Sequence, residues 1–70
     1  MKGTYTIVTE RIPGEAYLYR LFEREGTNGT EIEIISKSTF DSRILCLMEE
    51  QKDELESNPK LSRLEGVLKL

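Results

Sequence analysis

Residues 49–56, EEQKDELE, hold five carboxylates and one lysine. Carboxylates this dense can in principle trade protons, hold a cation or offer charge to a basic partner. Proton trading needs a cleft that sets two carboxyls in different environments, and nothing in the run suggests one. The chain has no histidine and one cysteine, Cys46. A zinc site of the usual nitrogen and sulfur type cannot be built from that inventory, nor can a cysteine–histidine nucleophile within one subunit. Helical periodicity sets Cys46 opposite Ile44, Met48 and Leu55, near Glu49, Glu50 and Asp53. Those carboxylates disfavour the thiolate, so the thiol is expected to be inert. The GTNG stretch at 26–29 lacks the following helix and lysine of a phosphate loop. The expectation is a chain that is not an enzyme and binds no metal or cofactor.

The acidic run itself reads as a solvated helix face. Its like-charged pairs Glu49–Asp53 and Glu50–Glu54 repel mildly at i,i+4 spacing. That unexplained cost makes Glu49, Glu50, Asp53 and Glu54 secondary candidates for docking a basic surface or imitating nucleic-acid phosphates.

Seventy residues make one domain, 1–70. A chain of this size buries only about 60% of its unfolded surface, so its stability is marginal without help. With no second cysteine to form an internal disulfide, a partner subunit is the most available source of extra burial, and a homodimer is one expectation. Thirteen acids against ten bases argue against a nucleic-acid or anionic-membrane binder. No apolar run approaches a membrane span. The opening MKGTYTIVTE has no apolar signal core, which together with the lone cysteine suggests a cytoplasmic protein. Asn28-Gly29-Thr30 matches a glycosylation sequon, but a turn accounts for it.

The pattern predicts an α+β fold: a three-stranded antiparallel meander at about 4–12, 16–24 and 30–37, packed by one main helix at about 39–57. The strands are rich in β-branched and aromatic residues. Pro13-Gly14 and Asn28-Gly29 mark the turns. Ser38 is placed to cap the helix, with Asp41 in capping-box position. Phe40, Ile44, Leu47, Met48 and Leu55 gather on one side of it. Asn58-Pro59 ends it. Residues 59–70 read as a short helical turn stopping at Gly66, a C-terminal strand, or both.

An even-numbered loop at the second turn puts Tyr17, Tyr19, Leu21, Ile32 and Ile34 on one sheet face, and Leu18, Arg20, Phe22, Arg24, Glu31, Glu33 and Ile35 on the other. If Pro13-Gly14 is a two-residue loop, Tyr5 and Ile7 join the arginine face, while Thr6 and Val8 join the tyrosine face. One helix covers one face, so the arginine face would expose apolar residues, as binding sites often do. The partner-binding candidates are therefore Tyr5, Ile7, Leu18, Arg20, Phe22, Arg24 and Ile35, with Phe22 as the aromatic anchor. The charges among them also suit ordinary cross-strand pairing.

Two functional readings follow. One is a non-enzymatic protein-binding module, acting by occupying a partner's surface. The other is a nucleic-acid binder that stacks bases on Tyr5 or Phe22; Glu31 and Glu33 interrupt the basic surround it would need. In size, acidity and strand-helix plan the chain resembles the small accessory proteins of phages and mobile elements, such as anti-CRISPR inhibitors. That likeness of layout implies a regulatory or inhibitory protein.

If Cys46 lies on the polar side of the helix, Cys46→Ser should shift the urea unfolding free energy by less than about 1 kcal/mol.

Overall fold

The computed structural model describes residues 3–14, 17–34 and 40–70. Its elements are β1 (Thr4–Arg11), β2 (Tyr17–Glu23), β3 (Glu31–Ile32), α1 (Ser42–Ser57) and β4 (Arg63–Lys69). The strands form one antiparallel sheet in the order β3-β2-β1-β4, with α1 packed on one face. The α+β class and the meander are as expected from the sequence.

The tail resolves as a strand. β4 returns antiparallel along β1, with Ile7 opposite Gly66 and Tyr5 opposite Leu68. Gly66 lies inside that strand and stops no helix. A Cβ there would come within 2.9 Å of Gln51 Nε2 and 3.2 Å of a Leu47 methyl. A side chain there would push the Gln51 amide and the Leu47 methyl aside.

The helix starts later than expected. Asp41 is its N-cap, accepting a 2.8 Å hydrogen bond from the Arg43 amide, so Phe40 lies before the first turn. The Ser38 cap falls outside the described residues, as do Ile35 and the far end of the expected third strand. Within the described part, β3 ends at Ile32. The C-terminus closes as proline dictates: the Asn58 amide bonds to Glu54 O at 3.0 Å, and the chain turns at Pro59.

The first turn corrects the expected register. Arg11 pairs with Tyr17, so residues 12–16 form the connection and its parity is odd. Tyr5 and Ile7 therefore lie beside Leu21 and Tyr19 on the helix-covered face, and Thr6 and Val8 lie on the arginine face. The second turn keeps the expected even parity, pairing Leu21 with Ile32 and Phe22 with Glu31. It is wider than a tight hairpin: the Glu23 amide bonds to Thr30 O at 2.8 Å, which leaves 24–29 as the loop. A Cβ at Gly29 would lie 2.0 Å from Glu23 O, so the loop closes only with glycine there.

The core joins Tyr5, Ile7 and Leu21 of the sheet to Ile44 and Met48 of α1, with Phe40, Leu47, Ile32 and Ile34 at its margins. Met48 and Ile44 share the buried helix stripe with Gln51 and Leu55. Gln51 is a buried polar residue in that stripe, and both ends of its amide are engaged. Its Oε1 accepts from the Thr9 hydroxyl at 2.7 Å, and its Nε2 donates to Ile7 O at 2.9 Å. Arg11 fastens the other end of the helix. Its guanidinium donates to Leu55 O, to Leu61 O at 2.7 Å and to Pro59 O at 3.2 Å. A cation at this position also suits the negative end of the helix dipole.

Cys46 is exposed, as its wheel position implied.

Gln51→Leu should destabilise the fold by about 1–3 kcal/mol, because it strands the buried Thr9 hydroxyl. Adding Thr9→Val removes the stranded group, so the double variant should lose less than the sum of the two single losses. Urea denaturation of the four proteins measures this coupling.

Candidate functional site

The sheet face opposite α1 carries the arginines. Residues directly opposite one another across antiparallel strands share a face. Reading across the sheet, Glu31 faces Phe22, Phe22 faces Thr6, and Thr6 faces Val67; one step along, Arg20, Val8 and Glu65 line up; then Leu18, Glu10 and Arg63. Apolar residues sit in the middle of this face and charged ones ring them.

No helix lies on this side among the described elements, yet its centre is dry. Val8 is 0% exposed and Phe22 only 4%. Two features close over this face. Arg20 lies across the Phe22 ring with its guanidinium carbon 5.2 Å from the centroid, a cation–π arrangement. The 24–29 loop folds back onto β1: the Gly26 amide donates to Thr6 Oγ1 at 2.7 Å, and the Thr6 hydroxyl donates to Arg24 O at 2.9 Å. Long charged side chains can shield apolar surface with their stems while their heads stay wet.

Those heads are paired. Arg20 grips Glu31 through two bonds, Nη2 to Oε1 at 2.7 Å and Nε to Oε2 at 3.2 Å. Arg63 lies between two acids, 2.7 Å from Glu65 and 3.4 Å from Glu10. The hydrogen bond from Arg20 holds the Glu31 carboxyl below the usual carboxylate range, and the same bond raises the Arg20 guanidinium. Among the described residues the exposed large apolar side chains are Leu18 at 43% and Val67 at 44%, near opposite corners of the face.

The expected partner-binding residues thus divide. Leu18 and Arg20 lie on the outer face and are accessible. Phe22 lies there too but is buried, so it supports the face from beneath and presents no ring to a partner. Arg24 is exposed beyond the end of β2 with φ 72°, where it shapes the loop over Thr6. Tyr5 and Ile7 lie under the helix, 7% and 0% exposed. The odd connection 12–16 put them there, and they are core residues. Ile35 lies outside the described residues. The secondary set Glu49, Glu50, Asp53 and Glu54 is exposed along α1, and an ion pair in that region joins Lys52 to Glu56 at 4.0 Å.

Glu10, Arg63, Glu65 and Val67 belong to the outer face and escaped the sequence reading. All but Glu10 come from the tail, whose strand character was undecided; alternation of charged and apolar residues in RLEGVLK was the available signal. Among the described residues, no group of three or more cysteine or acidic side chains is placed to hold a metal ion. An open cleft of about 280 Å³, lined by Gly3, Thr4, Tyr5, Glu23 and Arg24, lies at the end of β1 and β2. No helix among the described residues is long and apolar enough to cross a membrane. Comparison with family models, curated proteins and solved structures finds no match to this chain.

Glu31 has its pKa lowered by Arg20 in the folded protein. Its contribution to stability is therefore present above the ordinary carboxyl pKa of the unfolded chain and is lost as pH falls through the lower folded value. Arg20→Gln should raise the Glu31 pKa toward the ordinary range, read by carboxyl NMR titration, and added salt should shift the unsubstituted protein in the same direction.

Proposed function

We propose that this chain is a non-enzymatic, regulatory or inhibitory protein-binding module, whose outer sheet face seats on another protein. The observation that carries the reading is Leu18: a large aliphatic side chain 43% exposed, opposite Glu10 on the neighbouring strand and two residues from Arg20. An apolar anchor with a charged rim is the usual anatomy of a protein interface. The chemistry of the face fits a partner that offers an apolar recess flanked by charges of both signs. Such a partner can share the Arg20–Glu31 and Arg63–Glu10 pairs at the rim without leaving a buried charge alone.

The same electrostatics weigh against nucleic acid. Arg20 and Arg63 already have acidic neighbours, and Glu10, Glu31, Glu33 and Glu65 lie among them, so phosphates would meet repulsion at each step. A cytoplasmic setting goes with this reading, since an exposed free thiol such as Cys46 persists most readily in a reducing compartment. The likeness in layout to phage and mobile-element accessory proteins supports the inhibitory form of the role and nothing more specific.

The test is Leu18→Asp. Asp at this position disfavours strand geometry and faces Glu10, so the substitution should cost about 1 kcal/mol while leaving a folded protein. Capture from a native lysate should recover a partner with the unsubstituted chain that Leu18→Asp fails to hold, while Glu54→Gln on the helix holds it normally. Equal recovery by Leu18→Asp would remove the outer face from the interaction.

A further inference from the structure

β4 is an outer strand of the sheet, paired on one side with β1. The direction of its backbone groups follows from the bonds at its two ends. Leu70 N donates to Gly3 O at 2.8 Å, Gly3 N to Leu70 O at 3.5 Å, and Arg11 N to Ser62 O at 2.8 Å. In an antiparallel ladder such residues alternate, so the even-numbered residues of β4 serve β1. Arg63, Glu65, Val67 and Lys69 point their N–H and C=O groups at the edge that no described strand pairs.

We propose that a second copy of this chain pairs along that edge, β4 against β4 about a two-fold axis at Val67. The register is selected by charge. Centred on Val67, the pairing sets Glu65 opposite Lys69 of the other copy, Val67 opposite Val67, and Lys69 opposite Glu65, all edge-facing residues that exchange both backbone bonds. On the helix side it sets Leu64 opposite Leu70, and Gly66 opposite Leu68. Two alternative two-fold registers fail. Centring on Gly66 brings Arg63 against Lys69, and centring on Glu65 brings that carboxylate against itself; like charges directly opposite are destabilising. Charges on an edge strand ordinarily deter such pairing. Here their order favours an alignment that pairs opposite charges over residues 64–70; centring on Leu64 pairs Arg63 with Glu65 but keeps only residues 63–65 of β4 in the ladder, and centring on Leu68 pairs no charges. Two further facts agree with the Val67 register: Val67 is 44% exposed, and Lys69 forms no ion pair among the described residues. The product is a continuous sheet running β3-β2-β1-β4-β4-β1-β2-β3, which gives a chain with little core of its own additional burial. This inference does not depend on the partner reading of Leu18.

Sedimentation velocity between roughly 10 and 300 μM covers the affinity of a small interface. The unsubstituted chain should pass from monomer to dimer across that range. Val67→Pro removes an edge-facing N–H and no bond to β1, and it should remain monomeric throughout. Glu65→Lys should also be monomeric, because it faces Lys69. Combining Glu65→Lys with Lys69→Glu should restore the dimer, a result that a fold defect in either single variant would not produce. A chain monomeric at 300 μM overturns the proposal. So does a dimer that Glu65→Lys leaves intact, and a dimer lost in Leu18→Asp but kept in Glu65→Lys would move self-association to the outer face.

Discussion

A single helix can shield one face of a sheet, and in this chain the strand beside it needs shielding on both. From Tyr5 to Thr9 every residue of β1 is buried, with Tyr5, Ile7 and Thr9 turned to α1 and Thr6 and Val8 turned away. The first set is covered conventionally, by Ile44, Met48 and the Gln51 amide. On the second side a loop is drawn onto the Thr6 hydroxyl, and Arg20, opposite Val8 on β2, lies across Phe22. Three of the ion pairs, Arg20–Glu31, Arg63–Glu10 and Arg63–Glu65, lie on that same face.

Gln51 and Gly66 show how narrowly the covered face is arranged. The amide reaches the strand because residue 66 has no side chain, and its two bonds satisfy polar groups that would otherwise be costly to bury. Arg11 repeats the logic at the helix C-terminus, where it answers carbonyls that no turn of helix can satisfy. β1 thus fixes α1 at two points: through its backbone and hydroxyl at Ile7 and Thr9, and through its last side chain at Arg11.

The class of fold, the meander, the helix stripe and the exposed thiol were legible because each rests on periodicity or turn chemistry over several residues. The face of β1 was not. Tyr5 and Ile7 at odd positions and Val8 at an even one leave no clean alternation, which is what a strand buried on both sides produces. Register then hung on the length of one loop, and Pro13-Gly14 pointed to the shorter one. The error moved Tyr5 and Ile7 from core to surface in a single step, as a change of parity must. Leu18 and Arg20 escaped it because their face was set by the second turn, where Leu21 and Ile32 demanded each other.

Phe22 illustrates why a sheet face can look more like a binding surface in sequence than it is in structure. An aromatic residue between two arginines, with no helix to cover it, suggests an exposed anchor. In the folded chain one of those arginines lies over the ring while holding Glu31, and the other leaves the strand with a positive φ to start the loop that closes on Thr6. The neighbours that marked Phe22 as a contact residue are the means of its burial. What remains accessible are the ends of the rows, Leu18 and Val67, at positions where no arginine stem crosses. Contact with another molecule is therefore expected at the margins of this face, one margin lying on the strand edge itself, while its centre serves the stability of β1.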